Sequence, residues 1–323
     1  MPDPIYMEAA LLVQLALLFL IPLEAALAAA VKIKGEYELR DTLANIGVSV
    51  GSLFFWGTLG WMYYGGVLYA YAHRLYDIPF AGWSFAVAFV LEDLRYYWFH
   101  RISHRSRWFW ASHVVHHSSQ HYNLSTNLRQ SWTSQFSGLT LLGIPLAFIG
   151  FNPALVALAF TINLLYQFWI HTESIDKMPR WFEWLLNTPS HHRVHHASNP
   201  RYLDANYTGV FMIWDRIFGS FVAERADEPP RYGIVKNLGT FNPVRIALHE
   251  YYAIARDLMR RDLTVWQRIG YFFGPPGWSH DGSRATTTEL RAAAAASVPA
   301  QSRSAASDLA DSAPTVTEYR YSG

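Results

Sequence analysis

Imidazole is the side chain this sequence concentrates. Of 14 histidines, 11 lie between His100 and His196, and eight of those fall into three boxes. The boxes read His100-Arg-Ile-Ser-His104, His113-Val-Val-His116-His117 and His192-Arg-Val-His195-His196. Spacings of three and four put side chains on one face of a helix, so each box offers two or three rings to a common centre. His171, in Tyr166-Gln-Phe-Trp-Ile-His171, is a further candidate. Neutral imidazole suits iron, zinc, copper and nickel. Eight or nine such ligands exceed the four of a tetrahedral zinc and suit two metals, each with positions left open for oxygen or water. The Glu and Glu-x-x-His pattern of soluble di-iron bundles has no counterpart here. Carboxylates are expected behind the neutral ligands to offset the metal charge, with Asp93, two helical turns before His100, as one candidate. Metal affinity is expected to fall as pH drops through about 6.5, the ordinary histidine pKa.

The remaining histidines carry less. His73, His249 and His280 stand alone and read as ordinary hydrogen-bonded residues, whereas His121 and His191 adjoin the boxes outside their spacing and fit either role. His249-Glu250 begins like a zinc-protease motif, but Ala253 stands where the second His belongs. No Gly-x-Ser-x-Gly elbow, Gly-x-Gly-x-x-Gly turn or Gly-x-x-x-x-Gly-Lys loop is present, so electrons for redox chemistry must come from elsewhere. The absence of Cys removes disulfides, thiolate catalysis, iron–sulfur clusters and thiolate haem.

Such boxes need rigid helices, and the composition indicates where those run. Charged residues are 16% of the chain and hydrophobic ones 51%, with Phe, Trp and Tyr at 16%; a soluble domain carries about 25% charge. A net charge of +1 excludes a polybasic nucleic-acid binder. The expected fold is all-α: a polytopic membrane protein of about four transmembrane helices, the last pair a hairpin, capped by a cytoplasmic helical domain that carries the boxes. A span needs roughly 20 apolar residues, and the candidates are 7–31, 46–71, 79–99 and 136–170, the last broken by Gly150-Phe-Asn-Pro153. The first has no positively charged start and reads as a retained helix rather than a signal peptide. Lys32, Lys34 and Arg40 follow it, and Arg101, Arg105, Arg107 and Arg129 follow the third, whereas the link between the second and third holds Arg74 alone. By the positive-inside rule every boxed histidine is then cytoplasmic. Residues 1–78 are read as N-terminal membrane helices, 79–282 as the catalytic domain, and the Ala- and Ser-rich 283–323 as a disordered tail.

Four stretches resemble one family. They are Tyr96-Tyr-Trp-Phe-His-Arg-Ile-Ser-His104; the segment 113–131 with its Asn-Leu-Ser-Thr-Asn-Leu-Arg-Gln-Ser; Leu165-Tyr-Gln-Phe-Trp-Ile-His-Thr-Glu173; and Asn187-Thr-Pro-Ser-His-His-Arg-Val-His-His196 with the Tyr202-Leu-Asp-Ala-Asn-Tyr-Thr-Gly and Ile213-Trp-Asp-Arg-Ile-Phe-Gly219 that follow. Together they resemble the fatty acid hydroxylase/sterol desaturase superfamily, and within it the alkylglycerol monooxygenase-like branch. The resemblance implies an integral membrane oxidoreductase with two irons on the cytoplasmic face, under a lipid-accessible pocket. It would use dioxygen and two electrons to hydroxylate a lipid C–H bond, or in some members to desaturate it, as sterol C-5 desaturases do. The implied ligands are His100, His104, His113, His116, His117, His192, His195 and His196, with His171 as the ninth. Gln167 stands where some relatives carry another His and is placed behind the ligands. The electron donor would be external, of the cytochrome b5, ferredoxin or tetrahydropterin kind, and the substrate a lipid from the bilayer. Relative to the animal enzymes of that branch, the chain is read without further hydrophobic helices after the catalytic region. Trp98-Phe99, Trp108-Phe-Trp110 and Phe168-Trp169 would line the lipid's route or form an interfacial belt. The reading from another class is a His-rich metal-binding or carrier membrane protein without redox chemistry.

Overall fold

The computed structural model describes residues 4–31 and 33–297, with side chains from Leu18 onward apart from Leu59. Residues 1–3, Lys32 and 298–323 lie outside it, and with them most of the expected tail. The helices are α1 (Pro4–Val31), α2 (Leu39–Ala72), α3 (Gly82–Arg105), α4 (Arg107–His117), α5 (Ser134–Ser137), α6 (Ile144–Ile149), α7 (Pro153–Trp169), α8 (Arg180–Leu185), α9 (Pro189–His195), α10 (Ile213–Ile217), α11 (Pro243–Leu258), α12 (Val265–Phe273) and α13 (Thr287–Ser297). Two 3₁₀ turns, Leu124–Leu128 and Leu139–Gly143, complete them. Among the described residues no β-strand forms, only three isolated bridges, in keeping with the all-α expectation.

No single described helix is long and apolar enough to cross a membrane; a pair bent by 45°, Leu39–Thr58 with Gly60–Ala72, meets the length and composition. The expected break at residue 150 is present. Gly150 has φ +132°, and a side chain there would run into the Tyr76 carbonyl; Asn152 then caps α7, its side chain accepting from the Ala154 N–H at 2.9 Å. The arm before the break is three short pieces rather than one helix.

The long helices share an end. Asp41 and Asn45, in the first turns of α2, bind the Arg129 guanidinium. Glu24 of α1 accepts from the Leu124 N–H and from Thr172 and Ser174, while α3 closes on His104-Arg105 and α7 on Trp169, just before His171. All of these meet the boxes at that end. Ala88 of α3 packs with Leu146, Phe151, Leu155 and Val156 to hold α3 against the α6–α7 hairpin. Ala44 and Val48 of α2 pack on Val115 of α4 and Ile246 of α11, so α2 and the box-bearing part share one core.

The disordered-tail expectation needs correction over 283–297. α13 forms there because Ala is the best helix former and because Thr286 and Glu289 make a reciprocal capping box: the Thr286 N–H and hydroxyl donate to the Glu289 carboxylate at 2.7 Å each, and the Glu289 N–H returns to Thr286 Oγ1 at 3.4 Å. Arg284 anchors the segment with two 2.7 Å bonds to Asp257, and Arg291 donates to the Leu203 carbonyl at 3.0 Å. These attachments supply what a weakly apolar segment cannot supply alone.

Candidate metal centre

The boxes fold as their spacing requires. His100 and His104 occupy the last turns of α3, His113, His116 and His117 those of α4, and His192 and His195 sit on α9 with His196 as its C-cap. Pro189 at the first position of α9, behind Thr188, starts that helix three residues before its first boxed ring. His171 follows the end of α7. The nine rings form two adjoining sets: His100, His104, His113, His117 and His195 in one, His116, His171, His192 and His196 in the other, with the candidate ligand atoms of each set within 4.8 Å of one another. His117 of the first stacks on His196 of the second at 4.4 Å between centroids.

The ring nitrogens are disposed for metals. His100, His195, His171 and His116 each donate Nδ1–H outward, to the carbonyls of Tyr207, Ala205, Gln167 and Arg129 at 2.7, 2.9, 2.7 and 3.3 Å. That fixes the tautomer and leaves Nε2 as an inward lone pair. Nε2 of His116 and of His171 then face each other at 3.1 Å, two acceptors with no proton between them. Donors at right angles around an ion with bonds of about 2.1 Å lie about 3.0 Å apart, so a cation turns this repulsion into ligation. Nε2 of His104, His195 and His196 is buried with no hydrogen-bond partner, which is costly unless a metal takes the lone pair.

Burial is also the main reason that protons are kept off the rings. It pushes the pKa of His113, His116, His117, His192, His195 and His196 well below the usual value, with neighbouring imidazoles adding repulsion, and it takes His171 down to about 4. The transition expected near pH 6.5 therefore moves lower in the folded chain. Unfolded histidines take protons near 6.5 and folded His171 only near 4, so between these values the unfolded state holds more protons. Metal-free protein is expected to keep a constant melting temperature above about pH 7 and to lose stability progressively from about 6.5 to about 4. Thermal scans against pH check this; a flat profile down to pH 4 contradicts it.

Of the carboxylate expectation, the Asp93 candidate is corrected. Asp93 reaches none of the boxed rings: it accepts from Asn163 Nδ2 at 2.7 Å, the N–H groups of Val210 and Phe211 at 2.8 and 2.9 Å, and Trp214 Nε1 at 2.9 Å. It pins the 210–214 turn to α3 and α7, and Gly209 must be glycine because a Cβ there would meet Asn163 and Asp93. The Gln167 side chain donates to Asn163 Oδ1 at 2.6 Å, and the residue reaches His171 through its main-chain carbonyl. The carboxylate beside the rings is Asp204, 3.5 Å from His104 Nδ1.

Asp204 opens a strap that composition does not reveal. Asp204 and Asn206 both have φ +56°, a left-handed conformation that Asx residues tolerate. These turns direct the Ala205 carbonyl at His195 and the Tyr207 carbonyl at His100. Asn206 holds the strap, donating to the His191 and Val222 carbonyls at 3.0 and 2.8 Å and accepting from the Val222 N–H at 2.8 Å. Buried Asp215 accepts from the Tyr207 and Thr208 N–H groups at 2.9 and 2.8 Å. Asn206→Ala removes three bonds and strains a positive φ; activity is expected to fall about 10–100-fold with weaker metal retention. Asn206→Gly, which relieves φ but not the lost bonds, should recover only part. Full activity in the Ala variant contradicts the strap's role.

The solitary histidines stand outside both sets. His73 and His249 bond the Tyr69 and Ile246 carbonyls, and His280 bonds the Tyr271 hydroxyl. His121 faces Glu36 at 3.8 Å and His191 packs on Phe221. A cavity of about 520 Å³ touches His104, His117, His195 and His196, walled by Trp110, Val114, Leu203 and Leu290 and edged by Lys236, Asn237 and Glu250. Of the aromatic pairs expected along a lipid route, Trp110 lines this cavity. Trp108 instead stacks on Phe272, Trp98 packs on Phe218, and Phe168 joins a core with Ile21 and Leu124.

The fatty acid hydroxylase family pattern matches residues 85–220, which include every boxed histidine. Alkylglycerol monooxygenase from Homo sapiens is 42% identical over 213 residues, 64% of this chain and 45% of that protein; the Danio rerio enzyme is 49% identical over 204 residues, 63% and 44%. A methylsterol monooxygenase of Aspergillus fumigatus is 29% identical over 156 residues, 45% of this chain and 49% of its own length. The chain thus spans about half the length of the curated relatives it matches. No solved structure matches it.

Proposed function

We propose that this chain, which belongs to the fatty acid hydroxylase/sterol desaturase superfamily, is a membrane-bound non-haem di-iron oxygenase that hydroxylates a lipid C–H bond. The observation that carries the reading is the division of nine imidazoles into sets of five and four around adjoining points, beside an apolar-walled cavity. His100, His104, His113, His117 and His195 would hold one iron, and His116, His171, His192 and His196 the other. Bound there, iron would activate dioxygen, the oxidant in R–H + O2 + 2e⁻ + 2H⁺ → R–OH + H2O.

The chain's own residues do the rest. The carbonyls of Gln167, Arg129, Ala205 and Tyr207 hold four rings in the tautomer that ligates. Trp110, Val114, Leu203 and Leu290 offer an apolar wall to an alkyl chain and keep bulk water from the reacting bond. With no nucleotide-binding loop in the sequence, both electrons come from an external cytochrome b5, ferredoxin or tetrahydropterin donor. The relatives are named for alkylglycerols and methylsterols, which makes an alkylglycerol the first substrate to offer.

The same reading seats α1–α3 and the α6–α7 hairpin in the bilayer with the boxes at its cytoplasmic end. Three things support it: the long helices converge at the boxes, basic residues gather there, and Glu92 and Arg95 turn to each other at 2.6 Å inside the bundle. Mass spectrometry of lipid extracts from a host expressing wild type or His195→Ala tests the function. A lipid heavier by one oxygen, in wild type alone, is expected. A lipid lighter by two hydrogens would make the chain a desaturase, and bound zinc without dioxygen uptake would make it a carrier.

A further inference from the structure

We infer that α11 and α12 form a membrane-surface anchor, lying in the plane of an anionic bilayer with their outward apolar stripes among the acyl chains. The inference rests on the membrane reading above and extends it to helices that no hydropathy argument selects.

α11 has two unlike faces. Inward it buries Ile246, Ala247 and Ile254 and turns Glu250 and Asp257 onto Arg107 at 2.6 and 2.7 Å. Outward it sets Val244, Leu248, Tyr252 and, just past its end, Met259, all exposed and spaced as one helical stripe. α12 goes further: Val265, Trp266, Ile269 and Phe273 all point outward, Trp266 79% exposed, while Gln267 caps Thr264 and Arg268 turns back to the Arg260 carbonyl. A helix covered by water would present the opposite face.

Charge selects the occupant. The acids of these helices are used inward, and Asp262 in the link pairs with Arg260. Arg245, Arg256 and Arg261 form no ion pair among the described residues. Apolar stripes edged by arginine are the pattern of helices that lie in an anionic lipid interface, the guanidinium heads reaching the phosphates. A second copy of the chain would bring the same arginines face to face across a two-fold contact, which disfavours it. The stripe also continues an apolar surface: Pro243 packs on Gly47 of α2, whose neighbours Leu43, Ile46 and Val50 are themselves exposed. Because His249 and Glu250 on the other side of α11 line the cavity beside the boxes, such an anchor leaves one helix between lipid and cavity.

The chain contains no cysteine, so single labels are clean. Full-length protein bearing Trp266→Cys, Met259→Cys, Phe54→Cys (outward on α2) or Arg231→Cys (surface loop) is spin-labelled and placed in phosphatidylglycerol-containing vesicles. Oxygen and a water-soluble nickel chelate then compete as relaxing agents. Labels at 266 and 259 are expected to follow 54, with oxygen access several-fold above nickel, and 231 to show the reverse. If 266 and 259 follow 231 while 54 stays lipid-exposed, the anchor is wrong and the membrane reading stands. If 54 is also open to nickel, both fall. Labels at 266 and 259 immobilised and closed to both agents would show a protein partner and overturn the proposal.

Discussion

His195→Ala is expected to abolish activity by more than about 100-fold, beyond the 10–100-fold typical when only a ligand's outer partner is lost. His195 sits at the junction of the boxes: its ring lies 4.3 Å from that of His100 and 4.7 Å from that of His117 between centroids, in the five-membered set. Its Nε2 is buried without a partner while Nδ1–H is committed to the Ala205 carbonyl. Alanine leaves nothing within reach to replace that lone pair. Metal content per chain should fall while helix content and membrane insertion persist, because α9 is held by Thr188, Pro189 and the surrounding turns rather than by this ring. Elemental analysis beside circular dichroism reads both. Undiminished activity with a full complement of metal would defeat the ligand assignment.

Arg107→Met is expected to be among the most destabilising substitutions outside the boxes, at about 3–5 kcal/mol. The guanidinium is buried and binds Glu250 at 2.6 Å, Asp257 at 2.7 Å and the Tyr271 carbonyl at 3.2 Å, joining α4 to α11 and α12. Methionine fills the space yet leaves the half-buried Glu250 without its cation, and buried Asp257 with Arg284 alone. The solvent-facing pair Arg260–Asp262 is the control; Arg260→Met should lower the melting temperature far less. Thermal unfolding of the metal-loaded protein in one detergent compares the two, and equal effects would contradict the difference in burial.

Much of the centre was legible in the sequence because helical spacing converts directly into a shared face. Within each box the rings share a face as i, i+3 and i+4 geometry requires, the fold brings the boxes and His171 together, and the Gly150-to-Pro153 break falls where local chain stereochemistry demands it. What spacing cannot show is which groups stand behind the rings. Asp93 looked suitable by its distance along α3, but its side chain leaves the helix toward the 210–214 turn. The partners found instead are main-chain carbonyls, which carry no residue signature, and Asp204 and Asn206, whose role depends on a left-handed backbone. The helix at 287–297 was hidden for another reason: its apolar pattern is weak, and it is held by Arg284 and Arg291 on residues distant in the chain. The outward stripes of α11 and α12 are visible as amphipathic periodicity, but only the fold shows which face is turned away from the core.

The central claim is that the nine histidines hold two irons, and counting metal tests it most directly. Full-length protein from iron-replete cells is analysed for all first-row metals per chain, together with dioxygen uptake on reduction. Two irons per chain with dioxygen consumption is the expected result. One metal or none per chain, or zinc filling the sets with no dioxygen consumed, would contradict it.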